Sequence, residues 1–157
     1  MKVWKFGDNV DTDQIIPSQY LVLPTMREMA QHTLEPLAPQ FAQQYKAGEL
    51  LVGGHNFGCG SSREQAPTVL KELGVKVIMA QSFARIFFRN CINLGVLLIE
   101  LPEANELEQG HEVKIDYTHA KIINKTTKKE YEMVPMSDFF KKIVNSGGLV
   151  DYLKNKN

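Results

Sequence analysis

Apolar residues along this chain fall into two periods. Short runs at Glu49-Leu50-Leu51-Val52, Val75-Lys76-Val77-Ile78-Met79-Ala80 and residues 96–101 have the length of buried strands, not helices. Between the first two, Ala66, Val69, Leu70 and Leu73 recur at i, i+3, i+4 and i+7, the stripe of an amphipathic helix that Gly74 is placed to end. A second helix is expected from a Ser82 cap through Asn93, ended by Gly95. Strand, helix, strand, helix, strand predicts βαβ units with parallel pairing.

The flanks follow other patterns. A first strand leads into a polar loop over residues 7–14, where Asp8, Asp11 and Asp13 stand on what reads as irregular backbone. Thr25-Met26-Arg27-Glu28 is a capping-box pattern that starts a short helix, and a further helix is expected between the breaks at Pro36 and Pro39 and Gly48. Beyond Pro102 the pattern turns to strands around residues 111–117, 121–123 and 130–134, with a last helix from Ser137. Ser137-Asp138 reads as a cap and the Lys-rich carboxyl end as solvated surface. No internal repeat or linker interrupts the chain, so residues 1–157 are expected to form one mixed α/β domain.

Composition narrows the function classes. With 157 residues, 43% apolar and 23% charged, the chain can bury a core and resembles an ordinary soluble protein. Its 18 basic and 18 acidic side chains cancel, which argues against a nucleic-acid binder. The longest nearly continuous apolar stretch, Gly95-Val96-Leu97-Leu98-Ile99, is far short of the roughly 20 residues that cross a bilayer. Without a signal-peptide run at the amino terminus, a cytoplasmic setting is expected. Two cysteines, Cys59 and Cys91, make no disulfide framework. They also fall short of the three or four ligands that an iron–sulfur or zinc site takes.

The chemistry concentrates in Gly53-Gly54-His55-Asn56-Phe57-Gly58-Cys59-Gly60-Ser61-Ser62-Arg63-Glu64. Glycines there permit positive φ and a close backbone approach. Ser61 with Glu64 and Ser62 with Gln65 form two overlapping capping boxes, so a helix is expected to start at the serines. Free N–H groups, the helix dipole and a guanidinium able to grip a carboxylate bidentately then predict an anion site. A Walker loop would need Lys where this one has Ser-Ser-Arg, and a Rossmann turn would need glycine at Arg63. The plainer alternative is a tight turn in which the serines only cap, although Arg63 in a first helical turn opposes the dipole and invites another reason. His55 is either a ligand or structural, and Cys59 is either reactive or small filler. His32, His111 and His119 lack metal-ligand spacing, and Phe83, Phe87 and Phe88 read as core.

Three stretches together resemble a known family. Gly7-Asp8-Asn9-Val10-Asp11-Thr12-Asp13-Gln14-Ile15-Ile16-Pro17 is similar to the opening motif of isopropylmalate isomerase small subunits. Residues 58–66 resemble the Gly-Ser-Ser-Arg-Glu motif of the aconitase superfamily's swivelling domain, and Ser82-Phe83-Ala84-Arg85-Ile86-Phe87 with Asn90 and Gly95 resembles its third motif. The resemblance implies an α/β fold of the swivelling β/β/α type, a mixed central sheet flanked by helices. It implies a hydro-lyase that isomerises 2-isopropylmalate to 3-isopropylmalate in leucine biosynthesis. The partner would be a large subunit holding a 4Fe-4S cluster, with no metal ligand on this chain. Ser61 would be the catalytic base, Ser62 and Arg63 would bind a substrate carboxylate, and Asp13 would orient groups at the interface. In tricarboxylate-using relatives the loop after the first motif carries an arginine where this chain has Val22, followed by Leu23. That apolar pair suits an isopropyl group and leaves a third carboxylate unpaired. Kin acting on 2,3-dimethylmalate or homoaconitate, and an anion-binding module without catalysis, are the competing expectations.

Overall fold

In the computed structural model, which describes residues 1–135, 137–146 and 153–155, the apolar runs become three of four strands in a parallel sheet. Strands β1 (Val3–Lys5), β2 (Leu50–Gly53), β3 (Val77–Ala80) and β4 (Leu97–Glu100) lie side by side in chain order. Where parallel strands follow one another in chain order, crossovers of the usual right hand all return over the same face. The crossovers contain the short helices α1 (Thr12–Ile15), α2 (Met26–Ala30) and α3 (Phe41–Gln44), then α4 (Gln65–Glu72) and α5 (Arg85–Asn93).

Strand alternation sorts the side chains into two cores. Leu51, Ile78, Ala80 and Leu98 pack with Ala66, Val69, Leu70, Phe87 and Cys91 from the helical side. Leu50, Val52, Val77, Met79, Leu97 and Ile99 face the other way, against Leu107, Val113, Ile122 and Tyr131. Strands buried on both faces need no polar alternation, which is why they read as unbroken apolar runs. The second face is covered by β5 (Val113–Asp116), β6 (Lys121–Asn124) and β7 (Glu130–Glu132), an antiparallel sheet of its own. It is laced to β1, with Val3 N–H donating to the His111 carbonyl at 2.9 Å and Val113 N–H to that of Met1 at 2.8 Å. The layers are therefore β, β and α, as the resemblance implied. The parallel and antiparallel strands form separate sheets, and the helices cover one face of the parallel one.

Several local expectations hold. Thr25 Oγ1 caps α2 by accepting from Glu28 N–H at 3.1 Å. Ser137 Oγ accepts from Phe140 N–H at 3.2 Å at the start of α6 (Asp138–Asn145). Most of the Lys-rich carboxyl end lies outside the described residues.

Others are corrected. The serine capping boxes do not form: α4 starts only at Gln65, with Glu64 as N-cap and no side-chain cap bond. Ser82 does not cap α5, because its hydroxyl accepts instead from Asn56 N–H at 2.8 Å, and the N-cap is Ala84. The acidic loop is less irregular than expected. Asp11 caps α1 in a full capping box, accepting from Gln14 N–H at 2.8 Å while Gln14 Oε1 accepts from Asp11 N–H at 3.1 Å. The helix before Gly48 shrinks to the single turn of α3.

Gly58 sits at φ +86°, and a Cβ there would run into the Phe87 ring. Gly58→Ala is expected to cost about 2–4 kcal/mol from left-handed strain and overpacking together. Gly7→Ala, with nothing within 4 Å of its added carbon, serves as the near-neutral control. Urea melts of the two variants check this, and an unshifted midpoint for Gly58→Ala contradicts it.

Candidate active site

The carboxyl ends of parallel strands are where open α/β sheets bind ligands, and three loops meet there: residues 6–13 after β1, 54–64 after β2 and 81–84 after β3. The first two are zipped together. Gly54 N–H donates to the Gly7 carbonyl at 3.0 Å, Asn9 N–H to His55 at 2.8 Å, Gly58 N–H to Val10 at 2.7 Å and Thr12 N–H to Cys59 at 2.8 Å. Asp8 Oδ1 adds a bond from His55 N–H at 2.7 Å, and it sits where a Cβ on Gly54 would have to go. The third loop closes on the other side, with Phe57 N–H donating to the Ser82 carbonyl at 3.0 Å and Ala84 N–H to that of Phe57 at 2.9 Å. Phe57 itself is fully buried among Phe83 and Phe87.

This pairing delivers Thr12 and Asp13 to Ser61 and Arg63. The Thr12 hydroxyl donates to the Ser61 carbonyl at 2.9 Å and lies 3.3 Å from Ser61 Oγ. The Arg63 guanidinium donates from Nη1 to the Ile16 carbonyl at 2.7 Å and to Asp13 Oδ1 at 3.1 Å. With the Asp13 side chain 66% exposed and that of Arg63 17%, the ion pair contributes at most about 1 kcal/mol, so its main effect is to aim the guanidinium. Both bonds leave from one nitrogen. Nε and Nη2 make none among the described residues and remain open to a bidentate carboxylate.

Thr12, Ser61, Ser62, Arg63, Arg85 and Asn90 line a cleft of about 250 Å³. That is slightly under the roughly 300 Å³ at which complete small-molecule sites begin, and Ser61 and Ser62 are solvent-exposed, as one wall of a larger site would be. The structure thus gathers Ser61, Ser62 and Arg63, and it brings in Asp13 through the ion pair. Val22 and Leu23 do not line the cleft. Val22 is 83% exposed on the turn beyond a 3-10 segment, Ser18–Tyr20. That turn is braced from behind: Tyr20 O–H donates to Glu35 Oε1 at 2.7 Å, His32 Nδ1 lies 2.6 Å from Glu35 Oε2, and the Tyr20 and His32 rings stack at 3.7 Å. The Tyr20 bond, then the His32 contact, hold the Glu35 carboxyl below its ordinary range.

Thr12, Arg85 and Asn90 are cleft residues to which the sequence reading gave no role. Arg85 carried a usable signal, since it opens α5 and opposes that dipole as Arg63 was thought to oppose its own. Thr12 carried none, because only the zipped loops bring it to Ser61. The idea of a helix terminus beside Ser61 is also corrected. Ser61 precedes the Glu64 N-cap by three residues, outside the first turn over which a dipole acts.

The remaining candidates resolve differently. Burial pushes the Cys59 thiol up and the Asp11 carboxylate adds to it, so Cys59 stays a protonated filler. Burial alone pushes up Cys91, in the core. The His55 side chain is exposed. Among the described residues, no three His, Cys, Asp or Glu side chains are grouped to hold a metal ion, and no helix is long and apolar enough to cross a membrane.

Comparison with known proteins adds relatives. Residues 2–104 match the Aconitase C-terminal domain. The 3-isopropylmalate dehydratase small subunit 1 of Archaeoglobus fulgidus is 48% identical over 154 residues, 98% of this chain and 96% of the relative. The 3-isopropylmalate dehydratase small subunit of Aquifex aeolicus is 49% identical over 157 residues, covering 99% and 94%. A crystal structure of 3-isopropylmalate dehydratase from Methanocaldococcus jannaschii superposes with a TM-score of 0.92 at 41% identity, covering 99% of this chain and 92% of that one.

The thiol geometry is directly checkable. A water-soluble disulfide reagent should titrate one thiol, Cys59, in the folded chain, at a rate that climbs with pH beyond the usual thiol range. Both thiols should react after denaturation, and two fast equivalents in the folded chain would contradict the burial of Cys91.

Proposed function

This chain belongs to the Aconitase C-terminal domain family, and on that premise we propose that it is the small subunit of a hydro-lyase isomerising 2-isopropylmalate to 3-isopropylmalate in leucine biosynthesis. The observation that carries this reading is the convergence of Ser61, Ser62 and Arg63 on one small open cleft. The proposed setting is a cytoplasmic heteromer with a large subunit, which supplies the opposite wall.

Each residue then has a task. Arg63, aimed by Asp13, and Ser62 hold a substrate carboxylate. Ser61 Oγ removes the proton from the carbon next to that carboxylate as the hydroxyl on the neighbouring carbon takes up a proton from solvent and leaves as water. In the return step Ser61 gives its proton to the carbon that lost the hydroxyl, and water adds its hydroxide to the carbon that lost the proton while releasing its second proton to solvent, which yields the isomer. This chain offers two thiols, Cys59 and the core residue Cys91, where a cluster takes three or four ligands. The iron–sulfur cluster of such an enzyme, a Lewis acid towards hydroxyl, is accordingly assigned to the large subunit. Val22 and Leu23, on their braced turn, meet the alkyl group once the two subunits close.

Anaerobic reconstitution with the cluster-bearing partner tests the reading, with 2-isopropylmalate, 2,3-dimethylmalate and homocitrate compared side by side. Turnover of 2-isopropylmalate by the mixture and by neither chain alone is expected. Turnover of another acid moves the substrate, and none at all leaves an anion-binding module. Within the active mixture, Ser61→Ala should lower kcat by about 10²- to 10⁴-fold with assembly intact. Arg63→Lys should chiefly raise KM, because the bidentate geometry is lost. Val22→Arg should shift preference towards a tricarboxylate, and an unchanged substrate profile would remove Val22 from the pocket.

A further inference from the structure

A serine that acts as a base must at some point carry a negative charge on Oγ, and something must donate a hydrogen bond to it. The expected donors, the first N–H groups of α4, make no hydrogen bond to Ser61 Oγ among the described residues, since that helix starts only at Gln65. The group that does stand at Ser61 Oγ is the hydroxyl of Thr12, at 3.3 Å, on a residue only 2% exposed.

The proton count at this pair is informative. A threonine hydroxyl has one proton, and at Thr12 it is engaged with the Ser61 carbonyl at 2.9 Å. The 3.3 Å contact is then made by the Ser61 hydroxyl donating to Thr12 Oγ1. If Ser61 loses its proton, that contact has no hydrogen left unless Thr12 rotates about its Cβ–Oγ1 bond and turns its own proton onto the Ser61 oxygen. The rotation exchanges a bond to a neutral carbonyl for one to an anion, and charged acceptors hold such bonds more strongly. Little else has to move. Thr12 opens α1 behind the Asp11 capping box, and its N–H is fixed to the Cys59 carbonyl at 2.8 Å.

We infer that Thr12 is a two-position hydroxyl that stabilises the Ser61 alkoxide, resting against the Ser61 carbonyl while Ser61 holds a proton and turning to Ser61 Oγ whenever that proton leaves. This inference rests on Ser61 being the base. No net atom or charge is added by the switch: Ser61 first gives its proton to solvent, thereafter takes a proton from one substrate carbon and returns it to the other in each turnover, and Thr12 keeps its own throughout.

The test is steady-state kinetics of the reconstituted two-subunit enzyme on 2-isopropylmalate across pH, with Thr12→Val, Thr12→Ser and Ser61→Ala compared. Thr12→Val keeps the shape and loses the hydroxyl. It should lower kcat by about 10- to 100-fold, the worth of one hydrogen bond to a charged group, with KM within about twofold. Its kcat–pH profile should be displaced to higher pH, because an unassisted serine is harder to deprotonate. Thr12→Ser should restore both rate and profile. The inference is overturned if Thr12→Val keeps its kcat, or if it loses rate with an undisplaced profile, as a purely structural threonine would. Near-normal turnover by Ser61→Ala would sink the base itself, whereas an inactive Ser61→Ala beside a normal Thr12→Val sinks Thr12 alone. If Thr12→Val fails to co-elute with the partner, Thr12→Ala is read in the same way.

Discussion

The cleft depends on the pairing of residues 7–12 with residues 54–59, two stretches that meet through four main-chain hydrogen bonds and the Asp8 carboxylate. Each such bond is worth about 1 kcal/mol net, which by itself would not hold two loops 47 positions apart. The pairing survives because it continues the β1–β2 register upward from a sheet that is buried on both faces. Glycine is required at two of its rungs: Gly54 lets the Asp8 carboxylate reach His55, and Gly58 lets Phe87 pack beneath the turn. Remove that ladder, and Thr12 leaves Ser61 while Asp13 leaves Arg63.

Much of this was legible in the chain, for physical reasons. Leu50, Ile78 and Leu98 stand in runs too apolar for any surface and too short for a helix, so β2, β3 and β4 could be read directly. The antiparallel layer was legible as separate strands, but that they form a second sheet was not, because stacking leaves no periodic mark. Local chemistry was read unevenly. Ser-x-x-Glu at Ser61 looks like a capping box and is none, while Asp-x-x-Gln at Asp11 is one. The difference is tertiary: the Ser61 carbonyl is held by Thr12 and the chain turns on itself at Arg63 N–H, 2.8 Å from that carbonyl, before the helix can begin.

The site residues were legible only where a motif named them. Ser61, Ser62 and Arg63 are neighbours in sequence and stay neighbours in the cleft. Asp13 was recoverable from the opening motif, and its bond to Arg63 explains why a guanidinium is tolerated there. Thr12 sits beside it in the same motif, yet no sequence spacing could assign it to Ser61 Oγ. Asp8, Asp11 and Asp13, an unexplained acidic cluster in the sequence, turn out to hold three separate partners: His55 N–H, Gln14 N–H and Arg63.

Exposure ties these pieces to the proposed split site. In this chain by itself Ser61 and Ser62 face solvent, and a serine hydroxyl in water is far too weak an acid to supply an alkoxide. Closure by a second wall would exclude that water, and in a drier site the bonds from Thr12 and Arg63 to an anion strengthen as the effective dielectric falls. The same closure would cover Val22, whose 83% exposure on a turn held rigid by Tyr20, His32 and Glu35 is otherwise an apolar side chain braced towards nothing. A base that needs dryness, a donor already in place and an apolar contact waiting at the rim have one requirement in common. On the proposed reading each would become effective only when the other half of the site arrives, which would make assembly and catalysis one event for this chain.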